Sequence, residues 1–129
     1  PKRLVDTRGG DRFGTTSTSG VSIKRIKITD AKTYKGETTG LPDSNIGAVA
    51  LNVTAVGGID DKGYGFVTVY PCDSISTPVP NSSNLNFSGG QTIPNAVIAP
   101  VSTNGYICFS VNGNTDLLVD AAGYFPANP

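Results

Sequence analysis

The chain has 129 residues with ten acidic and ten basic side chains, 37% apolar and 8% aromatic residues, and no Trp, Met or His. That length suits one core, and the missing histidine removes the commonest general base, metal ligand and partner of a Ser or Cys nucleophile. Sixteen Gly and nine Pro interrupt the sequence too often for long helices, so the expectation is an all-β fold: a single jelly-roll-like β-sandwich domain over 1–129.

In chain order, strand-like runs are read at Arg3 to Thr7, Val21 to Ile28, Ala48 to Val56, Gly65 to Tyr70, Asn84 to Ser88, Ala96 to Val101, Tyr106 to Val111 and Asp116 to Tyr124. The first follows Pro1-Lys2, with neither an initiator Met nor an apolar signal core, which reads as a processed product or an excised domain. In the second, Val21 and Ile23 lie on one face and Ile26 and Ile28 on the other, which predicts a bulge near Lys24-Arg25 to turn both pairs inward. In the third, Val49, Leu51 and Val53 face the core while Asn52 and Thr54 alternate outward. Thr15 to Gly20, Lys35 to Asn45, Gly57 to Gly63 and Asp73 to Ser83 read as surface loops. Asn104-Gly105 and Asn112-Gly113 offer the positive-φ pairs of tight hairpins, which predicts that the last three strands run as a C-terminal meander.

Cys72 and Cys108 lie at or within strand-like runs, outside any CxxC pair and with no His to complete a metal site. A disulfide is the favoured use; it would contribute roughly 4 kcal/mol by closing a long loop and would imply secretion, with two buried free thiols as the alternative. Charge is unevenly spread. Positions 1–35 hold nine bases and three acids, a net +6, and the remainder holds one base and seven acids, a net −6. Within one fold the two parts neutralise each other; between copies they suit a head-to-tail contact. The basic part lacks an aromatic platform, and the acidic remainder would repel a polyanion, which argues against nucleic acid. No run approaches the roughly 20 apolar residues of a membrane helix.

The residues give little purchase for chemistry. Asp116 and Asp120 would share a strand face about 13 Å apart, beyond the carboxylate spacing of glycosidases. Asp60-Asp61 is a weak calcium signal without a properly spaced third ligand. Thr7-Arg8-Gly9-Gly10 and Gly63-Tyr64-Gly65 lack the ending of a phosphate loop. The expectation is therefore no enzyme, no cofactor and no metal. Three sequons place candidate glycosylation at Asn52, Asn81 and Asn86, with Asn52 and Asn86 expected to point outward.

Five segments carry a family resemblance: Arg3-Leu4-Val5-Asp6-Thr7-Arg8, Leu51 to Val56, Gly65 to Cys72, Ser83 to Phe87 and Val119 to Phe125. In this order they resemble a bacterial secreted β-domain family with an opening RLLDTR, a middle NVTAV, GFLTVYPC and SNLNF, and a closing VDVxGYF. Gly90-Gln91-Thr92 and Asn95-Ala96-Val97 also fit, while Ala121 replaces the usual Val of the closing motif. The resemblance implies an extracellular β-sandwich bridged between Cys72 and Cys108, and it supplies no catalytic residues.

By analogy with surface fibres, the expected function is a structural subunit of an extracellular filament, pilus-like fibre or surface matrix, built head to tail from copies of itself. Residues 1–8 would be a strand donated to a neighbour. Leu4 and Val5 would fill the neighbour's groove, and Lys2, Arg3 and Arg8 would meet its acids. An internal edge strand is the alternative for this segment. The second functional expectation is a carbohydrate-binding or adhesion module, with Tyr34, Tyr64 and Tyr106 stacking against glycans.

Overall fold

The computed structural model describes residues 1–8, 21–56, 64–88, 90–113 and 115–127, the side chains of Val21 and Tyr64 excepted. The expected loops at Thr15 to Gly20 and Gly57 to Gly63, and the pair Asp60-Asp61, lie outside the described residues.

The strands are β1 (Lys2–Asp6), β2 (Val21–Lys27), β3 (Ile46–Val56), β4 (Tyr64–Pro71), β5 (Leu85–Ser88), β6 (Ile93–Pro100), β7 (Tyr106–Asn112) and β8 (Asp116–Pro126). They form two antiparallel sheets ordered β1-β8-β3-β6 and β2-β7-β4-β5. Each early strand pairs with a late one: β1 with β8, β2 with β7, β3 with β6 and β4 with β5. That nesting is a long two-stranded ribbon rolled into a jelly roll, as the composition led us to expect.

Period-two alternation builds the core between the sheets. Val49, Leu51 and Val53 of β3 point inward and are buried, as do Leu117 and Val119 of β8 and Val97 and Ala99 of β6. The other sheet answers with Val67, Val69, Leu85, Phe87, Ile107, Phe109 and Val111. Each buried aliphatic side chain contributes about 1.5–3 kcal/mol. Gly65 makes room for one of them: a Cβ there would overlap the Phe87 ring and the Asn112 carbonyl.

Two expectations are corrected. The C-terminal meander does not form, because β6 and β8 belong to one sheet and β7 to the other. Gly105 (φ 93°) and Gly113 (φ 104°) do supply bends, but the chain arches across the sandwich rather than folding back within a sheet. Local turn chemistry permits either outcome, and distant pairing decides between them: β7 is claimed by β2 and β4 on its two sides. The arch after β6 is tied to the end of β2 by Ile28 N–H donating to the Gly105 carbonyl at 2.7 Å.

The bulge expected near Lys24-Arg25 is also absent. β2 pairs residue for residue with β7 from Val21 to Lys27, so Ile26 packs on the main core while Ile23 stays on the outer face. Ile23 is not stranded there. It packs against a second small cluster of Tyr70, Cys72 and Cys108 on the outside of the β2-β7-β4-β5 sheet. A bulge occurs in β1 instead, where the register skips Leu4 between Arg3 and Val5, and the consecutive Leu4 and Val5 are both buried.

Candidate functional site

The residues expected at a subunit interface come together along β1, which forms one edge of its sheet in this chain. Leu4 and Val5 enter the core. Arg3 lies opposite Asp120 of β8 and grips its carboxylate with Nε at 2.9 Å and Nη2 at 3.2 Å. Arg3 Nη1 also reaches Asp6 at 3.3 Å, and Arg8 closes on Asp6 through Nη2 at 2.9 Å. Arg8's side chain, helped by its own N–H and by Arg3, holds the Asp6 carboxyl down at about 2, against the smaller opposing effect of burial. Asp120 in turn raises the Arg3 guanidinium. Lys2 is exposed.

Asp116 and Asp120, which drew attention only as a failed catalytic pair, seat this strand. Thr7 Oγ donates to Asp116 at 2.9 Å and accepts from Leu117 N–H at 2.9 Å. Both contacts are buried. The signal available in the sequence was parity: Asp116, Leu118 and Asp120 share the outer face of a strand whose inner face is Leu117, Val119 and Ala121.

Each sheet edge is guarded. Tyr34 N–H donates to the Arg3 carbonyl at 3.1 Å, so the turn bridged between Lys32 and Thr38 covers part of β1. β2 exposes Lys24, Arg25 and Lys27, β6 carries Pro94 and Pro100, and β5 has four residues. Positive charge, proline and shortness all discourage another strand from adding to an open edge.

The other expected residues are dispersed. Asn52, Asn81 and Asn86 are exposed. Tyr34 sits beside β1, whereas the Tyr106 ring lies under the Arg25 guanidinium at 4.1 Å, so these two form no shared platform; the Tyr64 side chain lies outside the described residues. Cys72 and Cys108 are bonded, which fits an oxidising compartment. Among the described residues no three His, Cys, Asp or Glu side chains gather as metal ligands.

One feature was missed from the sequence. On the outer face of the β2-β7-β4-β5 sheet lies a groove of about 510 Å³, lined by Ile23, Phe66, Val79, Asn81, Ser83 and Asn112 among others. Phe66 is 37% exposed and stands in register with Asn112 on one side and Asn86 on the other. The 73–83 loop forms its wall and is pinned at both ends. The bridge anchors it at Cys72. Arg25 donates to the Asp73 carbonyl at 2.8 Å, Ser102 Oγ to the Asp73 carboxylate at 2.5 Å, and Thr68 Oγ to the Ser82 carbonyl at 2.6 Å. Asn84 then accepts from Val69 N–H at 2.7 Å.

The chain thus presents an edge strand seated on β8 by paired charges on one flank and a walled groove with no charged lining on an outer face. Comparison with protein-family models, with curated proteins and with solved structures finds no match.

Proposed function

We propose that this chain is a non-catalytic, exported structural module whose copies join head to tail by exchanging β1, building a filament or surface matrix. The observation that carries this reading is the seat of β1. Every anchor the strand uses on the body (the core pocket for Leu4 and Val5, Asp120 for Arg3, Asp116 for Thr7) serves equally well when the strand comes from a neighbouring copy. Guarded edges argue against simple strand addition, and exchange bypasses them because it reuses a ladder that already exists. The resemblance to exported bacterial β-domains, and the Cys72–Cys108 bridge, support an extracellular setting.

The test uses Arg3→Cys and Asp120→Cys, made in separate chains and mixed at high concentration under mild oxidation. Exchange yields a disulfide-linked heterodimer, and negative-stain images of the unmodified chain show fibres. If the two variants never link while the double variant closes only within itself, and the chain stays monomeric at every concentration, the reading is wrong.

A further inference from the structure

The groove beside Phe66 has a chemistry of its own, independent of how β1 is used. No charged side chain lines it, and the sequence has no Asp, Glu, Lys or Arg at all between Asp73 and Asp116. A charged ligand would lose its hydration there without gaining a counter-charge. The surface is largely apolar, from Ile23, Phe66 and Val79, and it carries the amides of Asn81 and Asn112 and the hydroxyl of Ser83, which would lose water without a partner under a purely apolar ligand. The surface calls for a neutral molecule with one apolar side and a girdle of hydrogen-bonding groups.

We propose that this groove is a saccharide site, taking a neutral sugar unit with its C–H face on the Phe66 ring and its hydroxyls on the flanking amides. Asn112 lies beside Phe66 on the neighbouring strand, about 4.8 Å away along the hydrogen-bonding direction, and Asn81 of the 73–83 loop shares the lining, so one amide from a strand and one from the loop accompany the ring in the groove. Ser83, which lines the groove, is tied to β5 by donating to the Asn86 side-chain oxygen at 3.2 Å. The volume of about 510 Å³ falls within the range of small-ligand pockets, roughly 300–1,000 Å³. Both ends of the wall are held before binding, the first by the disulfide, Arg25 and Ser102 and the last by Thr68, which reduces the ordering that binding must supply.

The experiment is an amide-resolved NMR titration of the full chain with four neutral disaccharides (cellobiose, maltose, lactose and N,N′-diacetylchitobiose), each to about 20 mM to capture millimolar affinity. At least one is expected to shift Phe66, Asn112 and residues 79–83 together. Phe66→Leu, which keeps apolar bulk and removes the ring, should weaken that sugar about tenfold, Phe66→Tyr should retain it, and both should leave distant resonances unmoved. Silence from all four sugars overturns the proposal, as do shifts that map elsewhere, equal affinity in Phe66→Leu, or a groove that responds only to an uncharged proline-rich peptide.

Discussion

The flank built on β1 and the flank built on β5 and β6 bury aliphatic strands in the same core, yet they use polar chemistry in opposite ways. On the first, nearly every charged group near the strand is engaged by another: Arg3 with Asp120 and Asp6, Arg8 with Asp6. On the second, the stretch 74–115 carries no Asp, Glu, Lys or Arg, amides, hydroxyls and prolines take their place, and charge enters where Arg25 and Asp73 hold the start of the wall. Charge on the first flank fixes where a strand goes, whereas neutrality on the second leaves a surface that holds its shape through a covalent bridge and hydrogen bonds to backbone. Among the described residues the two halves of the charge split are not kept apart: Asp116 and Asp120, from the acidic part, lie against the basic strand β1.

That contrast can be broken first at the bridge. Replacing Cys72 and Cys108 by Ala should cost about 4 kcal/mol by the loop-entropy argument, read as a drop in denaturation midpoint, and hydrogen exchange should quicken along the 73–83 wall before it quickens in β1. Uniform loosening of both flanks would mean that they are not independent. Next, Leu4→Ala should cost about 2–4 kcal/mol through the cavity it opens, with exchange protection lost chiefly at β1 and its partners in β8. Thr68→Val keeps shape but frees the Ser82 carbonyl, and should cost about 1 kcal/mol while blurring the groove resonances and leaving Arg3 and Asp120 unaffected. The smallest effect concerns acid. Because the folded Asp6 carboxyl sits near 2, below its ordinary 3.8, its contribution is complete above about pH 4 and disappears as pH falls through 2. Asp6→Asn should flatten that acid limb and remove part of the salt dependence, with a loss under about 1 kcal/mol at neutral pH, since Arg8 is largely exposed.

The sequence made the strands legible, because period-two alternation and frequent Gly, Pro and Asn mark where each begins and stops. All eight expected runs overlap observed strands within a few residues. It did not reveal which sheet each strand joins at the C-terminal end, since Asn-Gly specifies a bend and says nothing of what the strands beyond it will pair with. Ile23 departs from the expected parity of β2 for a related reason: an outward Ile need not meet water, and the outer face around Ile23 is covered by Tyr70 and the disulfide. The β1 residues were legible as a group because they are contiguous, but their partners Asp116 and Asp120 are more than a hundred positions away and became meaningful only with the β1–β8 register. The groove was harder still, drawing Ile23 from β2, Phe66 and Thr68 from β4, Ser110 and Asn112 from β7 and the rest from the 73–83 loop; its trace in the sequence is the uncharged stretch from Ser74 to Thr115.

The Cys72–Cys108 bridge has a mechanical consequence. When the chain is pulled by its ends, tension passes along the backbone to Cys72, crosses the sulfur link and continues from Cys108, so the span between them, a sequence separation of 36, bears no load. At about 3.4 Å per residue, that withholds roughly 120 Å of contour length from extension. The sequestered span contains β5, β6 and the groove wall. A stretched molecule would surrender β1, β2 and β8 to the force while keeping this closed loop intact, a shorter tether that reduction would lengthen in a single step.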